Sequence, residues 1–280
     1  MGVLDGKAVV ITGAGRGLGR AYARHAAEAG AAVVVNDIDA DVVTEVAREI
    51  RDNGGRASAS PGSVVDPGYA RELVDRCVTE YGAVDGLVNN AGLRHQAPLW
   101  AEDPDQARAL IEVNVLGTLN CGIAAAGHMV AQGSGSIVNA GSLALVGQST
   151  AATYSASKGA IASMTFAWAG DLAEHGVRAN AVCPVAWTRL AVADTKPTGN
   201  PDDLPEHMAP LVTYLLSDLA AGVTGQLLRF RRGTLYVLGQ TAVKHPILDR
   251  DHWDVHDIAD AFATDLAAAL EPRAPHRGLI

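Results

Sequence analysis

Short apolar runs alternate with longer stretches of helical periodicity along the first two thirds of the chain. Short uninterrupted apolar runs are typical of strands that are buried on both faces, with helices covering those faces. This alternation predicts right-handed crossovers and an α/β fold, a doubly wound parallel sheet in a single Rossmann-like domain. The predicted strands are 7–12, 32–35, 56–59, 86–89, 136–140 and 178–182, and the predicted helices are 18–28, 40–51, 67–81, 105–130 and 152–174.

The pattern weakens after about residue 185. The polar, proline-bearing segment 188–205 predicts a mobile loop, 210–218 a further helix and 235–238 a last strand. An alanine-rich helical pattern lies near 256–270, and the segment 274–278 is expected to be frayed. We therefore predict a dinucleotide-binding catalytic domain over 1–244 and a short helical C-terminal extension over 245–280.

A glycine-rich turn, TGAGRGLG, joins the first predicted strand directly to the first predicted helix. Glycines let the backbone approach a phosphate, and a helix N-terminus offers unpaired N–H groups. The glycine spacing is GxxxGxG, and its place between a strand and a helix favours dinucleotide binding over a merely tight junction. The candidate cofactor-binding residues in this turn are Gly13, Gly15, Arg16, Gly17, Leu18 and Gly19.

An acidic residue, Asp37, follows the second predicted strand. A carboxylate at this place accepts hydrogen bonds from the adenosine ribose and repels a 2′-phosphate, which favours NAD over NADP. Two alternatives remain open. Asn36 and Asp37 could only cap the next helix, and the Arg16 guanidinium could bind a 2′-phosphate. We give Asp37 more weight and predict NAD as the cofactor, with NADP the less favoured one.

Tyr154 and Lys158 stand four residues apart in a predicted helix, so both side chains lie on one face. An ammonium group beside a phenol stabilises the phenolate, which suits the phenol to general acid–base chemistry next to a hydride carrier. A Tyr–Lys pair at this spacing is also frequent on ordinary helix surfaces, so the pair needs support from other motifs.

That support comes from motifs in a fixed order along the chain. TGAGRGLG, NNAG at 89–92, Asn114 and YSASK at 154–158 together resemble the short-chain dehydrogenase/reductase family. The resemblance covers about residues 1–240, and several independent motifs at matching intervals are rarely a coincidence.

The resemblance implies a role for each matching residue. Tyr154 would be the acid/base, Lys158 would hold the nicotinamide ribose, Ser142 would polarise the substrate carbonyl, and Asn114 would support a proton-relay water. Further cofactor contacts are implied for Asn90, Ala91, Gly92, Lys158 and Thr188.

The serine position departs from the family pattern. Ser142 precedes Tyr154 by 12 residues, one fewer than is usual, and an ungapped match would put Gly141 at the serine position. We prefer Ser142, since a carbonyl needs a hydroxyl donor that glycine lacks. If Gly141 held that position, a weakly active cofactor-binding protein would be the alternative function.

Two stretches, one early and one late in the chain, resemble one branch of the family. VVVND at 33–37 and the stretch around 208–240 are similar to the (3R)-hydroxyacyl-CoA dehydrogenase domain of multifunctional enzyme type 2 and its bacterial relatives. This implies an NAD-dependent oxidoreductase that interconverts a secondary alcohol and a ketone, with a 3-hydroxyacyl-CoA as one substrate class. A free sterol, a terpene or another small ketone is the alternative. Four basic residues could face the phosphates of coenzyme A, or they could form only a solvated cluster at the edge of the domain. They are Arg229, Arg231, Arg232 and Lys244.

Charge narrows the choice of partners. The chain has 22 basic and 31 acidic residues and a net charge of −9, which argues against a nucleic acid or an anionic membrane surface as partner. No uninterrupted apolar run approaches the roughly 20 residues that span a bilayer. The expected partner is a small-molecule alcohol, ketone or acyl-CoA substrate.

Cysteine and histidine usage suggests neither disulfides nor a metal. The three cysteines are scattered and odd in number, which suits a reducing cytoplasmic setting. His245, His252 and His256 match no metal-ligand spacing, so no metal site is predicted. Helices 106–130 and 152–174 are rich in small residues, and the family resemblance implies that they form the interface of a homodimer or homotetramer.

Overall fold

A mixed eight-stranded sheet forms the centre of the computed structural model, which describes residues 2–188, 200–231 and 233–270. The strand order is β3-β2-β1-β4-β5-β6-β7-β8, and every neighbouring pair is parallel except β7 with β8. The strands are β1 Ala8–Ile11, β2 Ala32–Asp37, β3 Arg56–Pro61, β4 Gly86–Asn89, β5 Gly135–Ala140, β6 Val177–Val182, β7 Leu227–Arg231 and β8 Thr234–Leu238.

Helices cover both faces of the sheet. One core holds Tyr22, Val46 and Leu215, and the core on the opposite face holds Leu73 and Met129. The doubly wound α/β fold is therefore confirmed. The helices are α1 Gly17–Glu28, α2 Ala40–Asp52, α3 Pro67–Tyr81, α4 Pro104–Ile111, α5 Thr118–Gln132, α6 Ala152–Leu172, α7 Ala209–Leu216 and α8 Val255–Ala263.

The structure differs from the sequence expectation in two elements. The helix expected over 105–130 is interrupted by a π-helical turn, Glu112–Gly117, between α4 and α5. Strand β7 was not predicted, because Arg229 and Arg231 alternate with apolar residues and break up the apolar run. Eleven of the residues in the expected loop 188–205, namely 189–199, lie outside the described residues.

The chain divides into two compact units, Met1–Leu238 and Gly239–Ile280. The predicted boundary after residue 244 stays a prediction. In the second unit, Asp254 and Asp257 form a capping box at the start of α8, and Arg250 pairs with Asp257 at 3.1 Å. Across the described ranges no group of three His, Cys, Asp or Glu side chains could hold a metal ion. The segment 274–278 lies outside these ranges.

The helical run Pro104–Gln132 is long and apolar enough to cross a membrane by length and composition alone. In this fold 39% of its most apolar window is buried, and Cys121, Ala125 and Met129 of α5 pack in the core against the sheet. Core helices of globular domains pass the same test, so one such run is weak evidence for a membrane-spanning helix.

Candidate active site

A cavity of about 740 Å³ lies at the carboxyl ends of the central strands, where the strand order reverses between β1 and β4. Ligands of open α/β sheets bind at such a switch point, and the volume suits a small-molecule ligand. Gly15, Gly19 and Asn114 are not among the lining residues. The predicted site residues that line the cavity are Gly13, Arg16, Gly17, Leu18, Asp37, Asn90, Ala91, Gly92, Ser142, Tyr154, Lys158 and Thr188.

The glycine turn is held against the end of β4. A Cβ atom on Gly19 would overlap the carbonyl oxygen of Gly13, and one on Gly13 would lie 2.8 Å from Ala91 Cα. The Asn90 side chain fastens the turn, because its Nδ2 donates to the carbonyl oxygens of Thr12 and Gly13 at 3.0 Å each. Gly13 and Gly19 therefore serve close packing, which brings the N-terminus of α1 to the cavity.

Asp37 turns its carboxylate to this glycine turn. Its Oδ2 accepts a hydrogen bond from Gly15 N at 3.0 Å, and its Oδ1 accepts one from Asp39 N at 3.2 Å. The N-cap of α2 is Asp39, whose Oδ1 accepts from Val42 N at 3.4 Å. The alternative in which Asn36 and Asp37 only cap that helix is therefore wrong.

Arg16 is engaged in an ion pair with the same N-cap residue. Its Nη2 lies 2.7 Å from Asp39 Oδ2. The hydrogen bond from Arg16, followed by the backbone N–H of Val42, holds the pKa of the Asp39 carboxyl below its usual range. The guanidinium at the cofactor end of the cavity is thus paired with a carboxylate of the chain itself.

Tyr154 and Lys158 lie in the first turns of α6, and both line the cavity. Lys158 is 6% exposed, and its Nζ donates to the carbonyl oxygen of Ala140 at 2.6 Å. The same Nζ lies 5.6 Å from the centroid of the Tyr154 ring. The end of β5 thereby holds the ammonium group beside the phenol.

A second cation on this ring, Arg94, was missed by the sequence reasoning. Its Cζ lies 5.1 Å from the centroid of the Tyr154 ring, and its side chain lines the cavity. This distance is within the range of a cation–π contact. The available signal was its place in the sequence, two residues after the NNAG motif.

Gly141 and Ser142 both line the cavity together with Tyr154, and of the two only Ser142 carries a hydroxyl group. A Cβ atom on Gly141 would lie 3.1 Å from the Sγ atom of Cys183, the residue that follows the neighbouring strand β6. Ser142 lines the cavity and begins a 3₁₀ turn, with its Oγ accepting from Ala144 N at 3.1 Å. The connection from this turn to α6 contains Thr150 at φ +62°, in the left-handed region.

Asn114 lies in the π-helical turn and is completely buried. Its Oδ1 accepts from Leu93 N at 2.7 Å, while its Nδ2 donates to Leu93 O at 3.0 Å and to Ser157 Oγ at 3.1 Å. The side chain therefore braces the segment after β4 against α6, at the residue before Lys158.

The basic patch expected for coenzyme A is present only in part. Arg229 and Arg231 line the cavity. Arg232 lies outside the described residues. Lys244 belongs to the second unit, where its Nζ donates to the carbonyl oxygen of Ala269 at 3.0 Å.

Known proteins resemble this chain over most of its length. The family model for short chain dehydrogenases matches residues 7–196. The chain is 40% identical to cis-4-hydroxycyclohexanecarboxylate dehydrogenase of Sinomonas cyclohexanicum over 79% of this chain and 94% of that protein. It is 37% identical to hydroxyacyl-CoA dehydrogenase ChsB1 of Mycobacterium tuberculosis over 80% of this chain and 77% of that protein.

Solved structures give the same result. A short chain dehydrogenase from Mycobacterium avium matches with a TM-score of 0.88 at 32% identity, over 99% of this chain and all of that one. A gluconate 5-dehydrogenase from Burkholderia cenocepacia, in complex with NADP and tartrate, matches with a TM-score of 0.75 at 36% identity, over 82% and 95% of the two chains. The chain belongs to the short-chain dehydrogenase/reductase family, whose members are oxidoreductases that use a nicotinamide cofactor.

Proposed function

We propose that this protein is an NAD-dependent dehydrogenase that interconverts a secondary alcohol and a ketone. The observation that carries the proposal is that Tyr154, Lys158 and Ser142 line the same cavity as the glycine turn and Asp37. One cavity therefore combines a phenol that can move a proton with a cradle for a dinucleotide.

The residues at the cofactor end fit a nicotinamide dinucleotide. Gly17, at φ +52°, opens α1 on the cavity, and unpaired N–H groups at a helix N-terminus bind phosphates. The Asp37 carboxylate stands where a 2′-phosphate would be repelled, and Arg16 is already paired with Asp39. These contacts favour NAD, although the related gluconate 5-dehydrogenase structure contains NADP. When bound, the nicotinamide supplies the hydride acceptor.

The proton passes through the side chains of this chain. As the alcohol is oxidised, Tyr154 Oη takes the hydroxyl proton, and Ser142 Oγ donates a hydrogen bond to the same substrate oxygen. The Lys158 ammonium, held by Ala140 O, stabilises the phenolate form of Tyr154 that accepts this proton. Reduction of a ketone uses the same steps in reverse. Asn114 acts as a positioning residue, because it fixes Ser157 and hence the turn of α6 that carries Lys158.

The proposed assembly is a homodimer or homotetramer in the cytoplasm. Ile123 and Val130 of α5 are 64% and 36% exposed, which leaves apolar side chains on the outer side of a helix that the family resemblance places at a subunit interface. The three cysteines are buried free thiols, as suits a reducing compartment.

The substitution Tyr154→Phe tests the proposed role of the phenol. We expect turnover to fall by about 10²- to 10⁴-fold, the usual contribution of a general acid–base group, while NAD binding measured by calorimetry stays as in the wild type. Turnover is followed by the absorbance of reduced nicotinamide, with free secondary alcohols and a (3R)-3-hydroxyacyl-CoA offered with NAD and with NADP.

The matched control is Tyr214→Phe, the same chemical change on a half-exposed tyrosine of α7 outside the cavity lining. It should leave turnover unchanged. Equal turnover in Tyr154→Phe and the wild type would refute the role of the phenol. NAD binding without turnover of any substrate by the wild type would favour the weakly active cofactor-binding protein.

A further inference from the structure

Two arginines of β7 face the side of the sheet on which the proposed catalytic residues lie. Leu227 packs with Ala162 and Phe166 of α6, whereas Phe230 packs in the core on the opposite face. Since side chains alternate along a strand, Arg229 and Arg231 share the side of Leu227. That side carries α6, with Tyr154 and Lys158 at its start.

The strand register puts Arg229 close to the serine turn. Gly141 N donates to Val182 O, and Cys183 N donates to Leu228 O, each at 2.7 Å. Gly141, Cys183 and Arg229 therefore form one row across β5, β6 and β7. Neighbouring strands lie about 4.8 Å apart, so the backbone of Arg229 is about 10 Å from that of Gly141, within reach of a long side chain.

Electrostatics link Arg229 with Lys158. Burial raises the pKa of the Cys183 thiol to about 11, and the Lys158 and Arg229 cations both oppose that rise. Both cations thus lie close enough to act on the same buried thiol.

Arg229 is buried without a counterion in the described part of the chain. Its side chain lines the cavity, the residue is 8% exposed, and its Nε has no hydrogen-bond partner. The Nε of Arg231 is likewise buried without a partner. A buried guanidinium is costly unless an anion pairs with it, so this part of the cavity favours an anionic ligand.

The charges around the cavity are unevenly distributed. The whole chain carries a net charge of −9, yet the described lining has a single carboxylate, that of Asp37, which lies at the cofactor end. Three arginines, Arg94, Arg229 and Arg231, line the remaining part together with Lys158. This local excess of cations favours a substrate with negative charge.

We propose that Arg229, with Arg231 beside it, binds a carboxylate of the substrate, so that the protein oxidises hydroxy acids in preference to neutral alcohols. The inference rests on the proposed function and names its substrate class. A carboxylate is favoured over the phosphates of coenzyme A, because Arg229 lies in the row that starts at Gly141, next to Ser142. The phosphates of a coenzyme A thioester are separated from its reacting carbon by the pantetheine arm.

Binding measurements test this inference independently of turnover. Calorimetry on the NAD-saturated protein compares cis-4-hydroxycyclohexanecarboxylate and 3-hydroxybutyrate with their neutral primary amides. We expect the wild type to bind at least one acid more tightly than its amide. Arg229→Gln should weaken binding of that acid by about 10- to 100-fold, the value of hydrogen bonds to a charged group, and change binding of the amide by less than about threefold.

Variants separate a lost contact from a damaged fold. Arg229→Lys keeps the charge and should recover part of the affinity for the acid, and Arg231→Gln provides a second test if Arg229→Gln does not fold. Arg48→Gln, on the exposed side of α2, is the matched control and should change nothing. Tyr154→Phe should lose turnover but keep the preference for acids, which separates failure of this inference from failure of the proposed function.

Three outcomes would overturn the inference. The first is that neither acid binds better than its amide. The second is that Arg229→Gln weakens NAD binding tenfold or more, which would assign the arginine to the cofactor. The third is that Arg229→Gln weakens binding of (3R)-3-hydroxybutyryl-CoA but not of its N-acetylcysteamine thioester, which would assign it to the phosphates of coenzyme A.

Discussion

The two ends of the cavity are built in different ways. At the cofactor end the cavity is formed mainly by the backbone of the glycine turn. The carboxylate there is that of Asp37, which accepts a hydrogen bond from Gly15 N, and Arg16 is paired with Asp39. At the substrate end, long side chains converge from elements far apart in the sequence, and Arg229 and Arg231 have no counterion in the described chain. A shared cofactor can be bound by main-chain groups, whereas a particular substrate requires particular side chains.

This difference predicts that the cofactor end tolerates least change in its backbone. In Gly19→Ala, the added Cβ would overlap Gly13 O and lie 2.6 Å from Asn90 Nδ2. Neither the backbone nor the fastened Asn90 side chain can move without opening the turn. We expect the Kd for NAD, measured by calorimetry, to rise by about 100-fold or more, with overpacking lowering the free energy of unfolding by about 1–3 kcal/mol.

The control for this prediction is Gly222→Ala, because a Cβ at Gly222 would meet no atom within 4 Å. That variant should bind NAD as the wild type does. Unchanged NAD binding in Gly19→Ala would show that the close packing of the turn is not required.

The same contrast explains what the sequence could predict. The glycine turn leaves a motif because Gly13 and Gly19 are required where two backbone segments touch. The Tyr154–Lys158 spacing follows from the helical repeat. These local patterns were enough to predict seven of the eight strands, the glycine turn and the start of α6.

Features that depend on contacts between distant segments were not predictable. Arg94 reaches the Tyr154 ring from the segment after β4, and Arg229 reaches the cavity from a strand that the sequence reasoning missed. Asn114 was expected from the resemblance to support a water, and that role stays a prediction; the structure shows its side chain bonded to Leu93 and Ser157. Each of these depends on register or helix packing, which no short pattern encodes.

The charge difference between the two ends gives a prediction of intermediate size. In Asp37→Asn the side chain can still accept a hydrogen bond from Gly15 N, but the negative charge is lost. Because a like charge facing a phosphate is strongly unfavourable, we expect the preference for NAD over NADP to fall by about 10- to 100-fold. The ratio of kcat/KM values for the two cofactors measures the change.

Asp39→Ser separates the effect of Arg16 from that of Asp37. Serine retains an N-cap for α2 and releases Arg16 from its ion pair. We expect a smaller gain in NADP use than in Asp37→Asn. A wild type that prefers NADP, or an unchanged ratio in Asp37→Asn, would contradict the assignment of Asp37 as the discriminating residue.

The smallest expected effect concerns backbone strain, which differs between the glycine turn and the connection that contains Thr150. At the cofactor end, Gly13 and Gly17 occupy positive φ values of 60° and 52°, whereas Thr150, in the connection from the turn of Ser142 to α6, has φ +62° with a β-branched side chain. A left-handed backbone costs a non-glycine residue about 1–2 kcal/mol. Replacement by glycine removes this cost, but it also costs about 0.5–1 kcal/mol because glycine loses more conformational entropy on folding. Thr150→Gly should therefore raise the free energy of unfolding by about 0.5–1 kcal/mol, and the Tm by about 1–4 °C.

The matched control is Ser149→Gly, at the neighbouring exposed position, whose φ is not positive. It should lower the Tm or leave it unchanged, and equal shifts in the two variants would contradict the strain. The turnover of Thr150→Gly then shows what the strain is for. Because Thr150 lies between Ser142 and Tyr154, a more stable variant with lower kcat would mean that the strained turn holds the proposed hydroxyl and phenol in register. A more stable variant with unchanged kcat would mean that the strain follows only from the connection that is one residue short.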